Sequence, residues 1–308
     1  SSVPVGDTDW QDETYETGYV YNNEISVSGG TDSSFHLFNV GHLRNTGILK
    51  NTGFERISAK LNSNFNLFNN RLRIGVNTQM FTSDETLASP DVGSAPTPSL
   101  AITLAPTLPV YDANGDFAGP LGAGYSDRNN PVLMQYINRW DNTDRTTLFG
   151  NVWGEFDIIE NLTFRTSLGL DFSDFHRRDI DPRVNNGFIT RGNNRLIHAT
   201  SKFTSLVFTN TLSYQLELNE KHKIGVLLGT ESIKDDFQSV TAQADGFAVE
   251  TDSFFQLDAA TGARTNTGSS TGSRLSSQFG KISYGFDDRY LASFTLRRDG
   301  SSRFGPDN

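Results

Sequence analysis

Along much of this chain apolar and polar residues alternate one for one, in runs of ten residues or more. Between Ser205 and Leu218, the residues Leu206, Phe208, Leu212, Tyr214, Leu216 and Leu218 share one parity, broken only by Asn210. Ser205, Thr209, Thr211, Ser213, Gln215 and Glu217 share the other, broken only by Val207. A period of two sends successive side chains to opposite faces of a β-strand. The same pattern sets Leu148, Val152, Phe156 and Ile158 against Asn151, Glu155 and Asp157. It sets Leu162, Phe164, Leu168, Leu170 and Phe172 against Arg165, Ser167 and Asp171, and Ile57, Ala59, Leu61, Phe65 and Leu67 against Arg56, Lys60, Asn62, Asn64 and Asn66. No long window has helical periodicity. The pattern predicts ten strands, at about 24–29, 34–43, 54–67, 71–81, 146–157, 162–173, 200–217, 223–232, 274–285 and 290–298. Several reach the roughly 9–11 residues of a tilted membrane-crossing strand, against about 5–6 in ordinary sheets.

The connections are unequal in a regular way. Gly30–Ser33, Phe68–Asn70, Ile158–Asn161, Leu218–His222 and Phe286–Arg289 are tight; Arg44–Gly53, Thr82–Arg145, Ser173–Ala199 and Ile233–Ser273 are long. Short and long alternate without a break, as in a barrel with brief periplasmic turns and extended outer loops. A β-sandwich would cross in Greek keys and a propeller would repeat its blades. Charge placement agrees: Arg56, Lys60, Arg73, Glu155, Arg165, Asp171, Lys281 and Arg297 take the polar parity. Arg or Lys at the middle of a lipid-facing surface costs about 2–4 kcal/mol. Glu55 and Lys202 break the parity close to predicted loop ends, and Phe35 and Leu37 against Phe38 and Val40 leave the facing of 34–43 open. A soluble sheet with one wet face also alternates; the connections favour an all-β antiparallel transmembrane barrel.

Composition excludes several functions. Hydrophobic residues make up 35% and glycines number 28, which suits strands whose polar face never meets a protein core. A charge of −10 argues against nucleic acid, which needs a clustered positive field. Without cysteine there are no disulfides or thiolate metal sites. No run nears the roughly 18 apolar residues of a membrane helix, and Ser1–Trp10 is no signal peptide. The chain reads as an internal piece of a larger barrel, with residues 1–23 as a lead-in and 24–308 as wall, carrying outer loops at 82–145, 173–199 and 233–273.

Catalytic signals are weak, and the expectation is a protein that is not an enzyme and uses no cofactor. His36, His42, His176, His198 and His222 are scattered, without metal-ligand spacing, and no Gly-x-Ser-x-Gly elbow is present. Asp112, Asn114 and Asp116 resemble the start of a calcium loop but lack its closing Glu, and Asn114-Gly115 also makes a tight turn. In the longest loop the apolar run Leu100–Leu108 suggests a packed segment near the mouth, after Ser94-Ala95-Pro96-Thr97-Pro98. Tyr136, Asn138, Arg139, Trp140 and Asp141 group rings, amide and charge before a strand, a mixture suited to a sugar or peptide; an aromatic interface belt is the competing account. Tyr214, Tyr284, Phe286 and Tyr290, beside tight turns, fit such a belt on the periplasmic side. Thr265–Ser273 reads as a flexible stretch on the outer side.

The segment Arg289-Tyr290-Leu291-Ala292-Ser293-Phe294-Thr295-Leu296-Arg297-Arg298-Asp299-Gly300-Ser301-Ser302-Arg303-Phe304-Gly305 closely resembles a signature of SusC-like TonB-dependent transporters. Further matches run in order along the chain, among them Thr8-Asp9-Trp10-Gln11, Gly47-Ile48-Leu49-Lys50-Asn51-Thr52-Gly53, Leu108-Pro109-Val110-Tyr111-Asp112-Ala113-Asn114-Gly115, Asn130-Pro131-Val132 and Leu148-Phe149-Gly150-Asn151-Val152. The resemblance implies a 22-stranded outer-membrane barrel with a plugged lumen. It also implies a SusD-like lipoprotein over the mouth, energy from TonB, and import of an oligosaccharide or peptide. The plug and the TonB-contacting segment have no counterpart between Ser1 and Asn308. A passive porin-like channel, or a secreted glycan-binding or adhesin module, are the alternatives.

Overall fold

A computed structural model describes residues 6–87, 96–120, 128–187 and 189–305. Ten long strands form one antiparallel sheet: β1 (Val20–Thr31), β2 (Ser34–Thr46), β3 (Gly53–Leu67), β4 (Leu72–Thr86), β5 (Asn142–Ile159), β6 (Leu162–Asp181), β9 (Arg195–Leu218), β10 (His222–Asp245), β11 (Arg264–Phe286) and β12 (Tyr290–Ser301). Between β6 and β9 lies a two-residue ribbon, β7 (Val184–Asn185) with β8 (Thr190–Arg191). The ten long strands lie in the sheet in chain order, each paired with its sequence neighbour among them, so the sheet is an up-and-down meander. All ten predicted strands are present. Every tight turn lies at one end of the sheet and every long connection at the other.

The tight turns are built on residues that tolerate the left-handed region. Asn69, Asn70, Asn161, Asn219, Asp287 and Asp288 all have φ between 51° and 68°. Phe68 and Glu220 share that conformation, held by the paired strands on either side. Asn161, the head of an Asn-x-Thr sequon, is a turn residue of this kind.

Register sorts the side chains into two faces. Ile25, Phe38, Leu61, Val76, Val152, Leu168, Phe208, Leu228 and Phe294 fall on one, and these large apolar groups remain exposed apart from Val76, which is partly covered. No second sheet or helix layer covers this face among the described residues. Pairing also settles the facing of β2. Phe38 and Val40 sit opposite Leu61 and Ala59 on the apolar face, while Phe35 and Leu37 face the other way with Asn64 and Asn62. Arg56, Lys60, Arg73, Glu155, Arg165, Asp171, Lys281 and Arg297 lie on the polar face. On the apolar parity, charges mark the end of the oily band: Glu55 beside Asp84, Asp144 beside His176, and Lys202 beside Asp174. The aromatic groups Tyr214, Tyr284, Phe286 and Tyr290 close the band at the tight-turn end, with Phe286 and Tyr290 stacked at 6.4 Å.

The outer loops are shorter than the sequence suggests, because the strands continue past the oily band. β9 and β10 each run 24 residues, about 80 Å at roughly 3.3 Å per residue, more than the ~30 Å hydrocarbon thickness requires. The long connections are therefore 47–52, 87–141, 182–194 and 246–263. Thr265–Ser273, expected to be flexible, is strand: it pairs with β10 from Gln243↔Thr265 to Asp235↔Ser273. Low complexity does not oppose a ladder that a neighbouring strand templates, and threonine favours extended backbone.

Candidate functional site

The polar face is built from short hydrophilic side chains interrupted by ion pairs. Arg73 on β4 donates to Glu155 at 2.8 Å and forks onto Asp157 at 2.7 and 2.8 Å. Arg165 on β6 reaches the other oxygen of Glu155 at 3.0 Å, and Thr163 donates to Asp157 at 2.8 Å. Four strands along the sheet from β6, Arg297 of β12 bonds Glu231, Asp299 and Ser277 at 2.9, 2.8 and 2.9 Å. Such pairs hold long side chains against the wall. On β3 to β6, further from the tight turns than the first cluster, lies a groove of about 380 Å³, with Lys60, Asn62, Asn77, Asn151 and Asp171 along it and the exposed ring of Phe149 in it.

Above the wall, the long connections fold into a packed crown. α1 (Trp10–Thr14) is capped by Asp9, whose carboxylate accepts from Gln11 and Asp12 backbone N–H groups. Trp10 donates its indole N–H to Ala105 O at 3.0 Å and packs with Ala101, Leu104 and Leu108, so the apolar run Leu100–Leu108 is a packed segment. Part of that run is α2 (Thr97–Thr103); Ser94 and Ala95 lie outside the described residues. Asn130 starts α3 (Pro131–Ile137) by accepting from Val132 N and Leu133 N, and donates to Val110 O and Ala118 O. One buried amide thus clamps the 111–117 hairpin to the helix. A second small core gathers Ile180, Leu196, Ala244, Phe247, Phe255 and Ala260. Asn194, fully buried, locks it by donating to Phe247 O and Glu250 and accepting from Phe247 N.

The five residues singled out at the end of the longest loop sit in this crown. The Arg139 guanidinium lies 3.5 Å from the ring centres of both Tyr136 and Trp140. Burial pushes its pKa down. Trp140 rests on Phe255 at 5.7 Å, and Phe255 on Phe247 at 4.8 Å. On the other side Tyr136 meets Phe117, and Phe117 meets Tyr111, each at 5.1 Å. A continuous aromatic ridge results, of which the sequence suggested only Tyr136, Arg139 and Trp140. Tyr111 and Phe117 flank a hairpin turn that brings them together; Phe247 and Phe255 carry no local signal. Asn138 is buried and donates to Met134 O, so it finishes the helix. Asp141 accepts the Ile180 N–H at 2.7 Å, and burial pushes its pKa up to about 7. Of the five, Tyr136 keeps an open flank, 43% exposed.

Asp112 accepts from Asn114 N and Asp116 N at 2.8 and 3.0 Å, and Gly115 takes φ +87°. The turn's own amides thus occupy one oxygen of the carboxylate that would begin a calcium loop. Among the described residues no group of three or more His, Asp or Glu side chains is placed to hold a metal. His36 bonds Ser63 and His42 bonds Glu55, separately.

A meander of long strands, oily on one bare face and polar on the other, with turns at one end and a loop crown at the other, is wall from an outer-membrane β-barrel. No protein-family model matches the chain. It is 28% identical to TonB-dependent receptor P3 of Formosa agariphila, over 98% of this chain and 30% of that protein. It is 25% identical to TonB-dependent receptor SusC of Bacteroides thetaiotaomicron, over 100% of this chain and 32% of that protein. The RagAB peptide transporter superposes with a TM-score of 0.80 at 22% identity, covering 99% of this chain and 34% of that one. The ferric citrate transporter FecA does so at 0.52, covering 94% and 37%. The chain is SusC-like, a homologue of the TonB-dependent receptors along nearly its whole length, and spans about 30% of the length of those relatives.

Proposed function

We propose that this chain forms part of the barrel of an active importer, which carries a hydrophilic nutrient, an oligosaccharide or peptide, across the outer membrane. Energy comes through TonB, and a SusD-like lipoprotein covers the crown. The two-faced register carries this reading: on β3 to β6, Arg56, Lys60, Arg73, Glu155, Arg165 and Asp171 all point to the polar side. That side offers amides, hydroxyls and paired charges to a solute and no reactive constellation. The relatives are named receptors, and RagAB is named a peptide transporter.

The test is uptake by cells that carry or lack the full-length gene, using labelled oligosaccharide and labelled peptide mixtures, with and without a protonophore. Uptake that needs the gene and stops with the protonophore is expected. Gene-dependent uptake indifferent to the protonophore would indicate a passive channel, and surface binding without uptake an adhesin.

A further inference from the structure

The outward face is not equally oily around the sheet. On β6 its positions are apolar from Leu162 to Phe172 but for Thr166, and on β9 from Leu218 to Leu206 but for Asn210. On β10 the apolar run ends at Leu228 and on β12 at Leu296. Measured from the tight turns, the run 290–296 is four residues shorter than 162–172, about 13 Å of strand at ~3.3 Å per residue. A crossing strand needs about 9–11 residues, so β10, β11 and β12 turn polar before the hydrocarbon is crossed. The polar groups are Thr230, Gln278 and Arg298 in one row, then Ser232, Ser276 and Gly300, then Lys234 beside Arg274.

On the tight-turn side of the first polar row lies a groove of about 740 Å³. Gly280, between Leu228 and Leu296 in one row, leaves the space; Val226, Ile282 and Phe294 continue it, and Gln278 and Arg298 line its upper end. Charge above the groove is one-sided. Lys234 and Arg274 share Asp236, at 3.0 and 3.2 Å, which leaves one cation in excess, and Arg298 adds another. The rim over β3 to β5 has the opposite sign, with Glu55, Asp84 and Asp144 on the same face, and the whole chain carries −10. The backbones of Arg274 and Arg298 stand roughly 14 Å apart, one strand across and four residues along, with only Ser276 and Gly300 between them. An anionic lipid matches both halves: its phosphate bridges the cations, and its acyl chain runs from there toward the tight turns, as chains hang from an outer leaflet. A second copy meeting this one through the same sector would set Lys234, Arg274 and Arg298 against themselves.

We propose that the outward face of β10, β11 and β12 holds one phosphorylated acyl lipid of the outer leaflet, lipid A being the form that leaflet supplies. Its phosphate lies on Lys234, Arg274 and Arg298 and an acyl chain lies over Gly280. This rests on the barrel wall alone and is independent of what the protein transports.

The experiment is native mass spectrometry of the full-length protein released from detergent, titrated with lipid A, with its dephosphorylated form and with inorganic phosphate. Lipid A is expected to bind at one site, about tenfold or more tightly than the dephosphorylated form, because several cations act on its phosphate. Lys234→Gln combined with Arg298→Gln is expected to abolish that preference. Gly280→Leu, which fills the groove, is expected to weaken both lipids alike. Lys60→Gln, on the polar face of β3, keeps the unsubstituted pattern. Heat-modifiable migration verifies that each variant folds. Equal binding of the two lipids to the unsubstituted protein, or an unchanged preference in the double variant, would overturn the proposal. Inorganic phosphate binding as tightly as lipid A would remove the acyl chain from it. A dimer that excludes lipid A would assign the face to a second copy instead.

Discussion

The indole of Trp153 on β5 lies flat against Gly75 on β4, so closely that a Cβ at position 75 would stand 2.6 Å from the ring. Arg165 of β6 covers the ring at 4.6 Å while paired to Glu155. The arrangement recurs across β10, β11 and β12, where Phe279 lies over Gly229 and under Arg297, itself paired to Glu231. Glycine leaves the room, and the ring with its arginine lies along the wall rather than across the lumen.

Gly75→Ala therefore lifts Trp153 off the wall. The expected cost is about 1–3 kcal/mol, the usual penalty for overpacking. Urea unfolding of the full-length protein with tryptophan emission reads both effects: a lower midpoint and a red-shifted native spectrum. An unchanged native spectrum would mean that the ring does not depend on Gly75.

The two faces of β6 are separated by one residue. Leu168, between Val152 and Phe208 on the oily face, is expected to lose about 2–4 kcal/mol on substitution by arginine. Ser167→Arg, on the polar face, is expected to leave folding into lipid vesicles nearly unchanged. Equal penalties at the two positions would contradict the sidedness.

Asn194 fixes the 246–263 connection through three hydrogen bonds to Phe247 and Glu250. Asn194→Ala leaves the buried Phe247 N–H without its partner, at about 1–3 kcal/mol, while Arg183 still bonds Phe247 O. The effect should be local. Limited proteolysis is expected to cut within 246–263 in the variant, with the strand ladder still intact.

Asp141 should make the crown pH-sensitive. Burial raises its pKa to about 7, against roughly 3.9 in an unfolded chain, despite the hydrogen bond it accepts from Ile180 N–H. A carboxyl whose folded pKa is raised contributes stability that is complete below its unfolded value and lost as pH rises through the folded one. Exchange of the Ile180 amide, corrected for its intrinsic rate, should accelerate as pH rises from roughly 4 to about 7 and level off above that. Asp141→Asn keeps an acceptor oxygen without the charge and is expected to flatten that dependence. A variant with the same pH profile would assign it to another group.

Much of the wall was legible because its two environments are imposed residue by residue. Leu206, Phe208, Leu212 and Tyr214 announce one face locally, and Asn161, Asn219 and Asp287 announce the turns. The crown was less legible. Tyr136 and Trp140 are visible as a group, but Phe255, which seats Trp140, lies 115 positions further along the chain. The upper strand ends also escaped notice: above the oily band nothing forces apolar residues onto one side, so Thr265–Ser273 loses its alternation while keeping its ladder.

By itself the sequence determined the strand count, the order of short and long connections and the face of most side chains, since each follows from how a residue and its near neighbours partition between oil and water. Tertiary pairing alone decided that Lys60 shares a row with Asp171, that Phe38 rather than Phe35 looks outward, and that Arg139 fills the space between two rings. Those relations depend on register between strands and on contacts between distant loops, which no local preference encodes.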